Sequence, residues 1–90
     1  MKFRKKPVVI DAVRIDKGME IPEWLEAAIE SGEVALHGVG NFTRDVPFAK
    51  IATLEGSMRG DGGDWIIRGV KGELYPCKQD IFEATYDEVE

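Results

Sequence analysis

The sequence predicts an α+β fold: a small, bent antiparallel sheet, partly barrel-like, carrying one amphipathic helix at residues 22–31. Three observations predict it. A single segment has an apolar stripe at helical spacing, and the other apolar residues fall in short Val/Ile-rich runs. Those runs are separated by Gly, Pro and Asn, which turn the chain. Ninety residues also make one domain, residues 1–90, because chains divide only beyond roughly 250 residues.

Lys6 to Ile15, "KPVVIDAVRI", reads as the first strand, with Pro at its start, where a strand tolerates it. Alternation places Val9, Asp11, Val13 and Ile15 on one face and Val8, Ile10, Ala12 and Arg14 on the other. The doubly apolar beginning predicts a strand buried near its start. "DKG" then turns the chain. Ile21, Trp24, Leu25, Ala28 and Ile29 form one helical stripe. Pro22 suits the first helical position, Glu23 and Glu26 suit the positive end of the dipole, and Gly32 suits the left-handed cap.

Next come a short run, "EVALHG", and a loop, "GVGNFTRDVPF". "KIATLEG" and "SMRG" read as strands joined at Glu55-Gly56, and "DWIIRG" and "ELYPC" as a hairpin around Val70-Lys71-Gly72. Asp80 followed by Glu83 gives a capping-box pattern for a helical turn at "DIFE". The tail "ATYDEV" admits an extension of that turn or a last strand, and the strand is favoured.

Composition narrows the function classes. The formal charge is −5, with fewer Lys/Arg than Asp/Glu, which disfavours binding to DNA. Lys2, Arg4, Lys5 and Lys6 make the N-terminus basic, and Asp80, Glu83, Asp87, Glu88 and Glu90 make the C-terminus acidic. The two ends are expected to attract each other. One Cys excludes an internal disulfide framework and a thiolate zinc cluster within one chain. The apolar run Pro7 to Ile10 is too short for a signal peptide or a membrane span. A soluble protein of a reducing cytoplasm is expected.

No catalytic constellation is evident. Arg59-Gly60-Asp61 is a chance tripeptide in such a setting. "DGGD", with Asp61 and Asp64, lacks the calcium-loop pattern and reads as a Gly-rich turn with solvated carboxylates. No Gly-rich phosphate loop is present. Cys77 with His37 is a nucleophile–base candidate, but a lone Cys at a strand end reads as a small buried hydrophobe and nothing places His37 near it. No cofactor and no metal are expected. Trp65 and Tyr75 admit two readings: core residues of the hairpin, or amphipathic rings beside Arg59, Arg68, Lys71 and Lys78.

"FRKKPVVIDAV", "IATLEGSMRG" and "GDWIIRGVKGELYPCKQDIFEATY" together resemble a widespread family of small phage and prophage proteins. Members of that family read R-K-K-P-V, then T-[LM]-E-G, then GDW/GDY-I-I-x-G-V-x-G-E-x-Y-P-C-K-P-D-I-F-x-x-T-Y. The likeness spans nearly the whole chain except 38–48. It departs at Gln79 and at Gly62, where the family usually or frequently has Pro. The Gly-Asp-aromatic turn is also similar to that of a family named after P-G-D-Y-G. The resemblance implies an accessory role in the cytoplasm of a bacterial host and supplies no mechanism.

The expected function is therefore a non-enzymatic accessory binding protein, such as an anti-defence sponge for a host nucleotide signal. Its ligand-binding residues would be Arg59, Trp65, Arg68, Lys71, Tyr75 and Lys78, taking a small anionic ligand. The alternative is a module that docks on a host or phage protein through the same residues. A third reading is a small enzyme using carboxylates or Cys77. A homodimer or larger assembly is expected, because Val8, Val9 and Ile10 exceed what one small sheet can cover. The competing cover is loop 38–48, with Val39, Phe42, Val46 and Phe48.

Overall fold

The computed structural model describes residues 1–4, 6–40 and 43–89. Along them run β1 (Asp11–Arg14), α1 (Glu23–Ser31), β2 (Val34–His37) and β3 (Phe48–Thr53). Then follow β4 (Gly56–Asp61), β5 (Trp65–Arg68), β6 (Leu74–Cys77) and α2 (Gln79–Thr85). The fold is α+β. Its strands form two three-stranded antiparallel sheets, β1-β5-β6 and β2-β3-β4, where the sequence predicts one bent sheet. No barrel closes among the described residues.

The change of sheet happens at "DGGD". The Asp64 N–H donates to the Asp61 carbonyl (2.9 Å), closing a four-residue turn, and Gly63 sits at φ +92°. A side chain there is strained, so Gly carries the turn. The chain leaves β4 in one sheet and enters β5 in the other. Backbone bonds then fasten the corner to the end of β1: Ile15 N–H to the Asp64 carbonyl (2.8 Å) and Gly63 N–H to the Ile15 carbonyl (2.7 Å).

The main core lies between the sheets and under α1. Ile15, Leu25, Val34, Ala49, Ile51, Ile66 and Leu74 are buried together, with Val13, Trp24 and Leu36 packed around them. β6 lies against β3 and β4, and α1 lies on β2. The helical stripe is as the sequence predicts, with Leu25 and Ala28 innermost. Gly32 caps it at φ +86°. Pro22 is the N-cap rather than the first helical residue, its φ of −69° joined to an extended ψ of 160°.

The β1-β5-β6 sheet is covered on both faces. Ala12, Ile67 and Tyr75 stand in register across it, as do Arg14, Trp65 and Cys77 two residues along on the same face. This second face carries α2 and the chain after it, through Trp65 stacked on Phe82 (ring centroids 4.2 Å). Ile66 faces the main core and Ile67 this smaller one, so both are buried.

Four expectations are corrected. The first strand is only Asp11–Arg14. Val8 and Val9 precede it and are exposed (45% and 74%), because no layer covers that flank. Loop 38–48 does not provide the cover: Val46 is 76% exposed, Val39 and Phe48 are half-buried, and Phe42 lies outside the described residues. The tail is not a strand. Residues 79–85 are helical, their start held by Asp64 accepting the Gln79 N–H, and 86–89 continue without regular structure. The capping box does not form either: the N-cap is Lys78, with no side-chain cap of its own, and Asp80 accepts the adjacent Ile81 N–H (2.9 Å).

Gly60 in β4 sits against β6 and the residue that follows β1. A Cβ there would lie 2.8 Å from Cδ1 of fully buried Ile15 and 3.2 Å from Cβ of half-buried Pro76. Gly60→Ala should therefore destabilise the protein by about 1–3 kcal/mol through overpacking. Chemical denaturation reads this as a lowered midpoint. An unchanged midpoint would mean that the sheets separate more easily than their packing implies.

Candidate functional site

Two places concentrate polar or aromatic chemistry: a carboxylate–ammonium knot at the sheet corner, and a cleft beside α2.

The knot centres on Asp64, which is 8% exposed. Its Oδ2 accepts the Asp61 N–H (3.0 Å) and Lys78 Nζ (3.2 Å), and its Oδ1 accepts the Gln79 N–H (3.2 Å). The carboxylate thus caps α2 from another element and holds Lys78 beside it. This corrects the reading of Asp64 as a solvated turn residue, which holds for exposed Asp61 alone. Burial pushes the Asp64 carboxyl up, but the hydrogen bonds from Asp61, Lys78 and Gln79 outweigh it and hold it below its ordinary value. Lys78 in turn is pushed up by its bond to Asp64.

The six candidate residues do not converge. Arg59 pairs with Asp61 (2.8 Å) and lies over the Phe48 ring (3.9 Å), and Lys78 reaches Asp61 (3.7 Å) as well as Asp64. Those two cations share one carboxylate. Trp65 and Tyr75 face α2 and the tail. Burial and then a hydrogen bond with Tyr86 push the Tyr75 hydroxyl up to about 12. Arg68 is at the far end of β5, roughly 10 Å along the strand from Trp65, with Asp11 beside it (3.9 Å). Lys71 is exposed in the β5–β6 turn, where its N–H donates to Glu73 (3.0 Å).

The cleft measures about 280 Å³. Val8, Val9 and Val89 line it with Trp65, Phe82 and Tyr86, and its charged residues, Asp11, Asp87 and Glu88, are all acidic. It brings the base of the N-terminal segment against the C-terminal tail. The Trp65 Nε1 is buried without a hydrogen-bond partner.

Cys77 is half-buried, and its thiol is pushed up by burial and by Asp64 and Asp80, which disfavours the nucleophilic thiolate. His37 stacks on Phe48 (4.6 Å). Among the described residues no three His, Cys, Asp or Glu side chains are arranged to hold a metal, and no helix is long and apolar enough to cross a membrane. Comparisons with protein-family models, with curated proteins and with solved structures found no match.

Sequence reasoning missed both Asp64 and the cleft. A signal for the first existed: a helix beginning at Lys78-Gln79 has no Ser, Thr, Asn or Asp at its cap, so the acceptor had to come from elsewhere. The cleft joins residues 8–11 to 82–89, a separation no local pattern reveals.

Two measurements follow. Asp64→Asn should cost about 2 kcal/mol at neutral pH, since a charged acceptor of several bonds is lost. Asp64 is held below its ordinary pKa of 3.8, so its contribution is complete above 3.8 and is lost as pH falls through the lower, folded value. The gap between wild type and variant in thermal melts should close in that acid range; a gap constant with pH refutes the role. For Tyr75, the ionisation is displaced from 10.0 to about 12. Its stabilisation is full below 10.0 and vanishes as pH rises through about 12. Phenolate absorbance should still be developing near pH 12 and should lose that late component in Tyr75→Phe.

Proposed function

We propose that this chain is a non-enzymatic binding module that takes an extended protein segment into the cleft beside α2. The observation that carries the reading is the composition of that cleft: apolar walls with a rim of carboxylates and no cation. Such a surface favours an extended segment alternating apolar and basic residues. The resemblance to small phage and prophage proteins supports placing this activity in the cytoplasm of a bacterial host, as an accessory function.

The nucleotide-sponge reading has less support. An anionic ligand needs converging cations, whereas Arg59 and Lys78 are engaged by Asp61 and Asp64, and Arg68 and Lys71 lie at the other end of the hairpin. The enzyme reading is weakened by the raised Cys77 thiol.

Selection from a displayed peptide library tests the proposal. Wild type should enrich basic–apolar segments, and the double variant Asp87→Lys/Glu88→Lys should bind them about tenfold or more weakly. Enrichment indifferent to that charge reversal would sink the proposal. So would micromolar binding of a cyclic or ADP-ribose-type nucleotide that Lys78→Ala abolishes, which would restore the anionic-ligand reading.

A further inference from the structure

Resting on the reading of the cleft as a segment-binding site, we infer that its occupant is the N-terminal arm of a second copy of this chain. The arm is the segment of this sequence whose chemistry complements the cleft. Met1 and Phe3 are 105% and 87% exposed, and Lys2, Arg4 and Lys6 are exposed between and beyond them. In extended chain that alternation sets Met1 and Phe3, with Lys5, on one side and Lys2, Arg4 and Lys6 on the other. The cleft offers the counterpart, Trp65 and Phe82 with Asp11, Asp87 and Glu88.

Geometry separates an exchange from a self-contact. Val8 and Val9 are themselves part of the cleft lining, so the arm begins at the edge of its own cleft. Returning into it needs a reversal at Lys6-Pro7. Proline fixes its own φ and biases the preceding residue towards extended backbone, which carries the arm onward. Seven extended residues span up to about 23 Å. That is of the size to account for a molecule measuring 51 × 24 × 23 Å. A reciprocal exchange is isologous and closes at two copies. It also covers exposed Val8 and Val9 and shields β1, which stands at a sheet edge.

Light scattering of the full chain and four variants tests the exchange. Wild type should have twice the 10.0 kDa mass of one chain, and the dimer should weaken with added salt. Removing residues 1–6 should give a monomer with an unchanged circular dichroism spectrum. Asp87→Lys/Glu88→Lys should also give a monomer, as should Lys2→Glu/Arg4→Glu/Lys6→Glu. The two charge reversals combined in one chain should restore the dimer, which no folding defect would do. A synthetic peptide of residues 1–7 should bind the arm-deleted chain, and about tenfold more weakly once the cleft charges are reversed.

A monomeric wild type, or a dimer that survives loss of the arm, overturns the exchange. If the arm-deleted chain ignores its own peptide yet still binds library-selected segments, the cleft keeps its function and only the second-copy occupant is refuted. If it binds neither, both readings fall.

Discussion

The structure depends on where one buried carboxylate finds its protons. Asp64 stands at the link between β4 and β5, and its side chain reaches the first turn of α2, which has no side-chain cap of its own. An isolated charge in that position would be costly. Three donors from two separate stretches, the Asp61 and Gln79 amides and the Lys78 ammonium, offset that cost. The same residue's carbonyl accepts from Ile15, so the corner, the end of β1 and the start of α2 are fixed to one another. Position follows from hydrogen-bond accounting rather than from the helix's own propensity, since seven residues would not hold as an isolated helix.

Because α2 is fixed there, the β1-β5-β6 sheet becomes a middle layer. Its hairpin strand β5 must be apolar on both sides, and consecutive Ile66 and Ile67 answer that need. Trp65 and Phe82 then form a second, smaller core on the outer face. That core is thin. It ends at Tyr86 and Val89 on one side and at Val8 and Val9 on the other, and the cleft is the space left between them.

Much of this was legible in the sequence. The stripe from Trp24 to Ile29 gave α1 and its buried face, and Gly32 gave its end. Glycine-bearing turns located both hairpins to within a residue or two. What failed has a common cause. Val8, Val9 and Ile10 carry the composition of a buried strand, but burial depends on whether another layer arrives, and none does on that flank. The Asp80 and Glu83 spacing met the local capping rule, while the acceptor that caps the Gln79 amide comes from fifteen residues upstream. The cations from Arg59 to Lys78 looked like a cluster because they are close in sequence. The hairpin register distributes them to opposite ends, and Asp61 and Asp64 engage Arg59 and Lys78.

The cleft's walls come from opposite ends of the chain, and this has a consequence during synthesis. Met1, Phe3, Val8 and Val9 leave the ribosome well before Phe82, Tyr86 and Val89. Until those later residues emerge, the earlier apolar ones have no cleft wall to rest on. Lys2, Arg4 and Lys6, interleaved among them, and Pro7 are the kind of gatekeepers that keep such a segment from pairing with a neighbouring nascent chain. Charge placed among apolar residues in this way opposes their association while the far wall of the cleft is still unmade.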